Sequence, residues 1–251
     1  MIRTLYRVFN SYLLPLSQKI VYGDRPGFES LLLVFRYAPW RTDREFLDTY
    51  GKIKDFTMVD IYRCHELWQL VGETCKHTSG DLIEVGVWRG GTGALIAKRA
   101  SMSIPGQTVF LCDTFSGVVK AGKEDSKYKG GEHQDTTEKI VEGLLTRMEL
   151  SNVKVLRGVF PEDTQSLVEG RTFRFCHIDV DVFNSARDVF QWIWNRLEVG
   201  GIVVFDDYGF GQCDGVMKYV NSIRAMDGAM TVYNLNGHAI VVKTGPVSGT
   251  K

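Results

Sequence analysis

Residues 81–100 read DLIEVGVWRGGTGALIAKRA: an apolar β-rich run, a cluster of glycines, then a helix-like stretch. A strand over 81–87 turning through Gly86, Gly90, Gly91 and Gly93 into a helix over 91–101 is the first half of a βαβ unit. Further strands are expected over 108–113, 153–157, 173–179 and 202–206. Helices are expected over 136–150, 161–168, 184–197 and 214–226. Such alternation predicts a mostly parallel sheet covered on both faces. The stretch MTVYNLNGHAIVVK (230–243) departs from it: two β runs flank Asn236-Gly237, the pair favoured in type I′ hairpin turns. The expected fold is α/β, a doubly wound Rossmann-like sheet closed by a C-terminal antiparallel hairpin.

The chain has 251 residues, with 30 Lys and Arg against 30 Asp and Glu. It carries no long basic run, which excludes nucleic acid and anionic membrane as polyelectrolyte partners. The five cysteines (Cys64, Cys75, Cys112, Cys176 and Cys213) form no CxxC pair and read as reduced thiols of a cytoplasmic protein. The most apolar stretch, SLLLVFRYAPW (30–40), is broken by Arg36 and Pro39, and Arg3, Arg7 and Asn10 interrupt the N-terminal apolar residues. Residues 1–56 are aromatic- and Arg-rich and are expected to form a helical lid or oligomerisation segment. Tyr22, Phe28, Phe35, Tyr37 and Trp40 are its lid or interface candidates, and a homo-oligomer is expected. The main domain is expected over 57–251. It opens on an amphipathic helix whose apolar stripe runs Met58, Ile61, Cys64, Trp68, Val71 and Cys75, with Thr57 and Asp60 as an N-terminal capping pair.

Ligands of open α/β sheets bind at the carboxyl ends of the strands, where the strand order reverses. The glycines after the first strand are spaced G-x-x-x-G-G-x-G, not as the G-x-G-x-x-G that seats a pyrophosphate. Glu84 beside them would repel a diphosphate and suits a ligand with a positive amino group, such as the methionine part of S-adenosylmethionine. Asp113, ending the second strand, is placed to accept hydrogen bonds from ribose hydroxyls. The fourth strand exits through Asp179 and Asp181 and the fifth through Asp206 and Asp207. Acids gathered this way need a cation or protonation, and an oxygen-only donor set favours a hard ion such as Mg²⁺. Asp179, Asp206 and Asp207 are the candidate ligands; Asp181 is an outer candidate or a helix cap. A long Gly- and Lys-containing loop, 114–135, carries His133 to the same end of the sheet as a candidate general base.

These motifs together resemble the macrocin/mycinamicin-type sugar O-methyltransferases of antibiotic biosynthesis. The resemblance is carried in order by FTMV, IEVGVWRGGTG, LCDTFSG, EHQD, GVFPEDT, HIDVDVFNSARDVF and GGIVVFDDY. It implies a class I methyltransferase sheet, S-adenosylmethionine, Mg²⁺, and methylation of a sugar hydroxyl on a glycosylated small molecule. It puts Glu84, Gly86 and Trp88 around the methionine part and Asp113 at the ribose, with Thr57, Met58, Gly90 and Ser116 as further cofactor contacts. It puts Asp179, Asp206 and Asp207 on the metal, and gives His133 or Asp179 the acceptor's proton. Val180 and Phe183 depart from the family's usual glycine and tyrosine. A catechol-type O-methyltransferase and, more distantly, an NAD-dependent oxidoreductase are the competing readings.

Overall fold

A computed structural model describes residues 37–245, together with residues 4–5, 8–13 and 16. Contacts divide the chain into two units, Met1–Arg41 and Thr42–Lys251. In the first, the described residues form a wide helical turn at Phe9–Leu13 and a tight one at Pro39–Arg41. Tyr22, Phe28 and Phe35 lie outside the described residues, while Tyr37 is exposed.

The second unit holds a seven-stranded sheet in the order β3-β2-β1-β4-β5-β7-β6. Strands β1 (Asp81–Val85), β2 (Val109–Asp113), β3 (Val153–Arg157), β4 (Phe173–Ile178) and β5 (Leu197–Phe205) run parallel, and β6 (Ala229–Tyr233) and β7 (Ala239–Lys243) close it antiparallel. The expected α/β architecture is the one formed. Every residue of β1 and β4 is buried, as central parallel strands with helices on both faces require. The covering helices are α1 (Arg44–Ile53), α2 (Ile61–His77), α3 (Gly91–Ser103), α4 (Glu138–Arg147), α5 (Phe183–Trp194) and α6 (Asp214–Ile223). Among the described residues no helix is long and apolar enough to cross a membrane, and all five cysteines are free.

Several boundaries differ from the sequence reading for local reasons. Asp60 alone caps α2, its carboxylate accepting from the Tyr62 and Arg63 amides, while Thr57 Oγ1 accepts from Val59 N. Met58 therefore precedes the helix and is exposed. The helix expected over 161–168 shrinks to a tight turn at Gln165–Val168. Helix α5 is capped from outside: Asp125 Oδ1, not Asp181, accepts from Phe183 N. The hairpin is real, but its turn is not type I′. That turn needs positive φ at both central residues, and only Gly237 has it. Asn236 has instead turned its side chain to Glu66, with Nδ2 3.0 Å from Oε2.

The strand order reverses between β1 and β4, so the turns leaving them meet there. Gly86 (φ +90°) makes the meeting possible: a Cβ on it would lie 1.6 Å from the Asp179 carbonyl oxygen. Gly86→Ala is expected to lower stability by more than about 2 kcal/mol, read as a fall in the urea midpoint, since neither the dihedral nor the contact tolerates a side chain.

Candidate functional site

A cavity of about 340 Å³ opens at this reversal, within the size range of small-molecule sites. One wall is the β1 turn, with Gly86, Val87 and Trp88, the tip of β2 at Asp113, and Thr57 and Met58. The other holds Asp179, Asp181, Asp206 and Asp207, with Arg63, Tyr128, His133 and Phe210. Trp88, His133, Asp181 and Asp207 have φ of +47°, +61°, +64° and +63°. Strained residues of this kind gather where the chain must aim side chains, and here they line one cavity.

Asp113 ties the first wall together. Its Oδ2 accepts from the amides of Val87 at 2.7 Å and Trp88 at 2.8 Å, and its Oδ1 accepts from Phe115 N at 2.6 Å. The carboxylate thus builds the turn and still faces the cavity.

On the second wall the aspartates differ sharply. Asp206 is buried, yet His238 Nε2 lies 2.7 Å from its Oδ1 and Arg63 Nη1 donates to its Oδ2. Burial opposes its charge, but the imidazoles of His177 and His238 and the Arg63 guanidinium overcome this and hold it well below the ordinary carboxyl range. Burial, then the neighbouring acids, push Asp179 and Asp207 well above that range. Burial likewise raises Asp181. Asp207 Oδ2 is buried with no hydrogen-bond partner among the described residues. One oxygen each from Asp179, Asp206 and Asp207 lies within 4.8 Å of the others. An orphaned oxygen in an all-oxygen donor set fits a hard divalent cation.

Tyr128 and His133 come from the long loop, with the Tyr128 hydroxyl 3.3 Å from His133 Nε2. Burial and the charge of Asp181 raise Tyr128, keeping it a phenol. None of the loop's lysines lines the cavity. Lys120 Nζ lies 2.8 Å from Asp188 and also pairs with Glu162, fastening the loop from outside.

Thr57, Met58, Gly86, Trp88, Asp113, His133, Asp179, Asp206 and Asp207 all line the cavity; Glu84, Gly90 and Ser116 do not. Glu84 belongs to β1, is fully buried, and has Oε1 2.7 Å from His177 Nδ1 on the neighbouring strand. Its other oxygen, Oε2, has no hydrogen-bond partner among the described residues and lies beside Gly93, where a Cβ would come within 2.7 Å of it. Gly90 (φ +88°) gives clearance to α4, where a Cβ would sit 2.9 Å from Val141 Cγ1. Ser116 is exposed and its Oγ turns back to Thr114 O. Arg63, Tyr128 and Phe210 were missed by the sequence reading. For Arg63 a signal existed: it follows Asp60 by three residues, beside the apolar stripe of α2.

The family model for the macrocin-O-methyltransferases (TylF) matches residues 47–237. A tetracenomycin-modifying rhamnosyl 4′-O-methyltransferase from Streptomyces olivaceus is 30% identical over 210 residues, 74% of this chain and 79% of that one. The mycinamicin III 3″-O-methyltransferase of Micromonospora griseorubida is 27% identical over 179 residues, 65% and 69% of the two chains. Among solved structures, the O-methyltransferase NovP superposes with a TM-score of 0.65 at 25% identity, over 76% of this chain and 83% of that one. A calicheamicin methyltransferase shares the fold at a TM-score of 0.62 and 15% identity, covering 89% of this chain and all of its own.

The Glu84–His177 pair makes stability depend on pH. Burial alone would lower His177, but Asp206 and Glu84 raise it from 6.5 to about 9. The stabilisation from a raised group is complete below the unfolded value and lost as pH rises through the folded one. Between pH 6.5 and about 9 the wild-type protein should therefore lose stability to urea more steeply than Glu84→Gln. Parallel profiles for the two proteins would remove this pair from the pH dependence.

Proposed function

The chain belongs to the macrocin-O-methyltransferase family, and on that premise we propose that it transfers the methyl group of S-adenosylmethionine to a sugar hydroxyl of a glycosylated natural product. It is an O-methyltransferase by that membership, which leaves the oxidoreductase reading without support. The observation that carries the finer reading is the division of one cavity into two chemically different walls. The sugar acceptor is supported by the compounds named for two relatives, a rhamnosyl-tetracenomycin and mycinamicin III.

In this reading Gly86, Trp88, Asp113, Thr57 and Met58 seat the methyl donor, and Asp113 offers its carboxylate to the ribose hydroxyls. Asp179, Asp206 and Asp207 hold Mg²⁺. When bound, that ion supplies the positive charge that orients an acceptor hydroxyl and makes it more acidic. The acceptor oxygen displaces sulfur at the sulfonium methyl: the O–C bond forms, the C–S pair stays on sulfur, and the acceptor's proton leaves to His133. Tyr128 holds the His133 ring in place from 3.3 Å. Arg63, over the Phe210 ring at 4.7 Å, closes the acid wall. Alignment of two bound reactants is worth roughly 7–11 kcal/mol, so the protein's task is mainly placement.

The test is methyl transfer from labelled donor to rhamnosylated and other glycosides, followed by mass. A +CH₂ product that vanishes in chelator and in Asp207→Asn, with donor binding intact by calorimetry, is expected. Full turnover in chelator would overturn the metal's part, and turnover on catechols but on no glycoside would overturn the acceptor class. His133→Ala should lower kcat by roughly 10²–10⁴-fold near neutral pH, the range for loss of a general base. An unchanged kcat would return the proton to Asp179.

A further inference from the structure

Behind the aspartates stands a second row of groups that methyl transfer leaves unused. His238 is 0% exposed and lies between two carboxylates, with Nε2 2.7 Å from Asp206 Oδ1 and Nδ1 2.6 Å from Glu66 Oε2. Glu66 is held in turn by two side-chain amides of the hairpin loop. Asn236 Nδ2 lies 3.0 Å from Oε2, and Asn234 Nδ2 donates to Oε1. Neither Glu66 nor His238 lines the cavity. The other Asp206 oxygen is taken by Arg63, which Asp60 steadies at 2.9 Å. Arg63 and Glu66 are three residues apart on α2, so one turn of that helix presents both arms.

A carboxylate at a strand end is free to turn about two side-chain bonds. A hydrogen-bond partner on each oxygen removes both freedoms, and of the three candidate ligands only Asp206 has its carboxylate oxygens so engaged among the described residues. We propose that Glu66, through His238, and Arg63 form a clamp that fixes the Asp206 carboxylate and thereby sets the affinity of the aspartate cluster for its divalent ion. Glu66 and His238 are positioning residues for metal capture, and the Asn234/Asn236 loop is their anchor. This assigns a task to the loop that its Asn-Gly pair conceals in the sequence, and it rests on the reading that Asp179, Asp206 and Asp207 hold that ion.

The experiment titrates Mg²⁺ into metal-free full-length protein by calorimetry, for wild type, Glu66→Gln and Asn236→Ala. Loss of outer partners of metal ligands weakens binding by about 10–100-fold, and Glu66→Gln is expected to fall in that range with the donor's Kd unchanged. At saturating Mg²⁺ its kcat should return to near wild type, so the defect appears as a raised KM for metal. Asn236→Ala, which leaves the charge in place, should give a smaller shift in the same direction and remains informative if Glu66→Gln does not fold. A Mg²⁺ affinity within about twofold of wild type in both variants would overturn the clamp. So would a parallel loss of donor affinity and melting temperature, the mark of a purely structural role. Electron-spin-echo spectra of the Mn²⁺-loaded protein should show no imidazole nitrogen that disappears in His238→Asn; such a signal would make His238 a ligand and end its positioning role. Failure of the underlying reading looks different: wild type itself would show no saturable Mg²⁺ binding and full activity in chelator.

Discussion

A carboxylate kept ionised inside the protein, Asp206, obliges the rest of the fold to bring positive charge to it. Moving such a group out of water costs several kcal/mol unless its oxygens are paired. Three elements meet that cost. Helix α2 sends Arg63, β4 sends His177, and the hairpin sends His238. The sheet order makes this convergence possible: β5 lies between β4 and β7, so Asp206 emerges between the strand that carries His177 and the one that His238 precedes. An antiparallel last strand inserted beside β5 is what brings a C-terminal residue to the active edge. The hairpin is part of the site's electrostatics as well as the sheet's closure.

Pairing one acid so fully leaves its neighbours without donors. Asp179 and Asp207 meet burial and the charge of Asp206 together, and both are driven toward the neutral form. A divalent ion lying among the three would reverse this balance by supplying the positive charge that the protein withholds. The arrangement divides labour between a permanent anion with fixed geometry and two acids whose charge depends on what is bound. Chain neutrality, 30 acids against 30 bases, conceals this segregation.

The fold was legible because its signals are local. The alternation of apolar runs, and the aspartates ending two successive strands, need only the rule that parallel strands finish at one edge. Where the sequence and the structure differ, the difference lies in the partner that a side chain finds. Glu84 is next to the glycine turn in sequence, yet pleating sends it to His177 inside the sheet. Asn236-Gly237 has hairpin chemistry, but a half-buried glutamate from a helix some 170 positions away claims the asparagine. Asp181 has the residue type of a cap, and Asp125 in the loop does the capping. In each case a long-range hydrogen bond outweighs a short-range preference, and buried polar groups are rarely left unmet. One of the buried side-chain atoms left without a partner among the described residues is an oxygen of Asp207, in the acid cluster itself.

The long loop shows the same principle at larger scale. A loop of its length and glycine content has much backbone freedom to lose, yet side chains tie it down along its course. Ser185 Oγ donates to Val119 O at 2.9 Å, Asn184 Nδ2 to Lys120 O at 3.0 Å, and Ser126 N to Asp214 Oδ1 at 2.9 Å. Trp88 Nε1 and the Arg89 guanidinium hold Asp135 at its far end. Regions that open readily have few such ties. His133 therefore stands on a fixed wall, in a left-handed conformation that the pinned loop on either side enforces. A base carried by a flap would have to be ordered in each turnover; one held by the scaffold has met that entropy cost during folding. Lys120 then has a structural reason that does not involve the site aspartates: it is the cation of one of these ties, paired with Glu162 and Asp188.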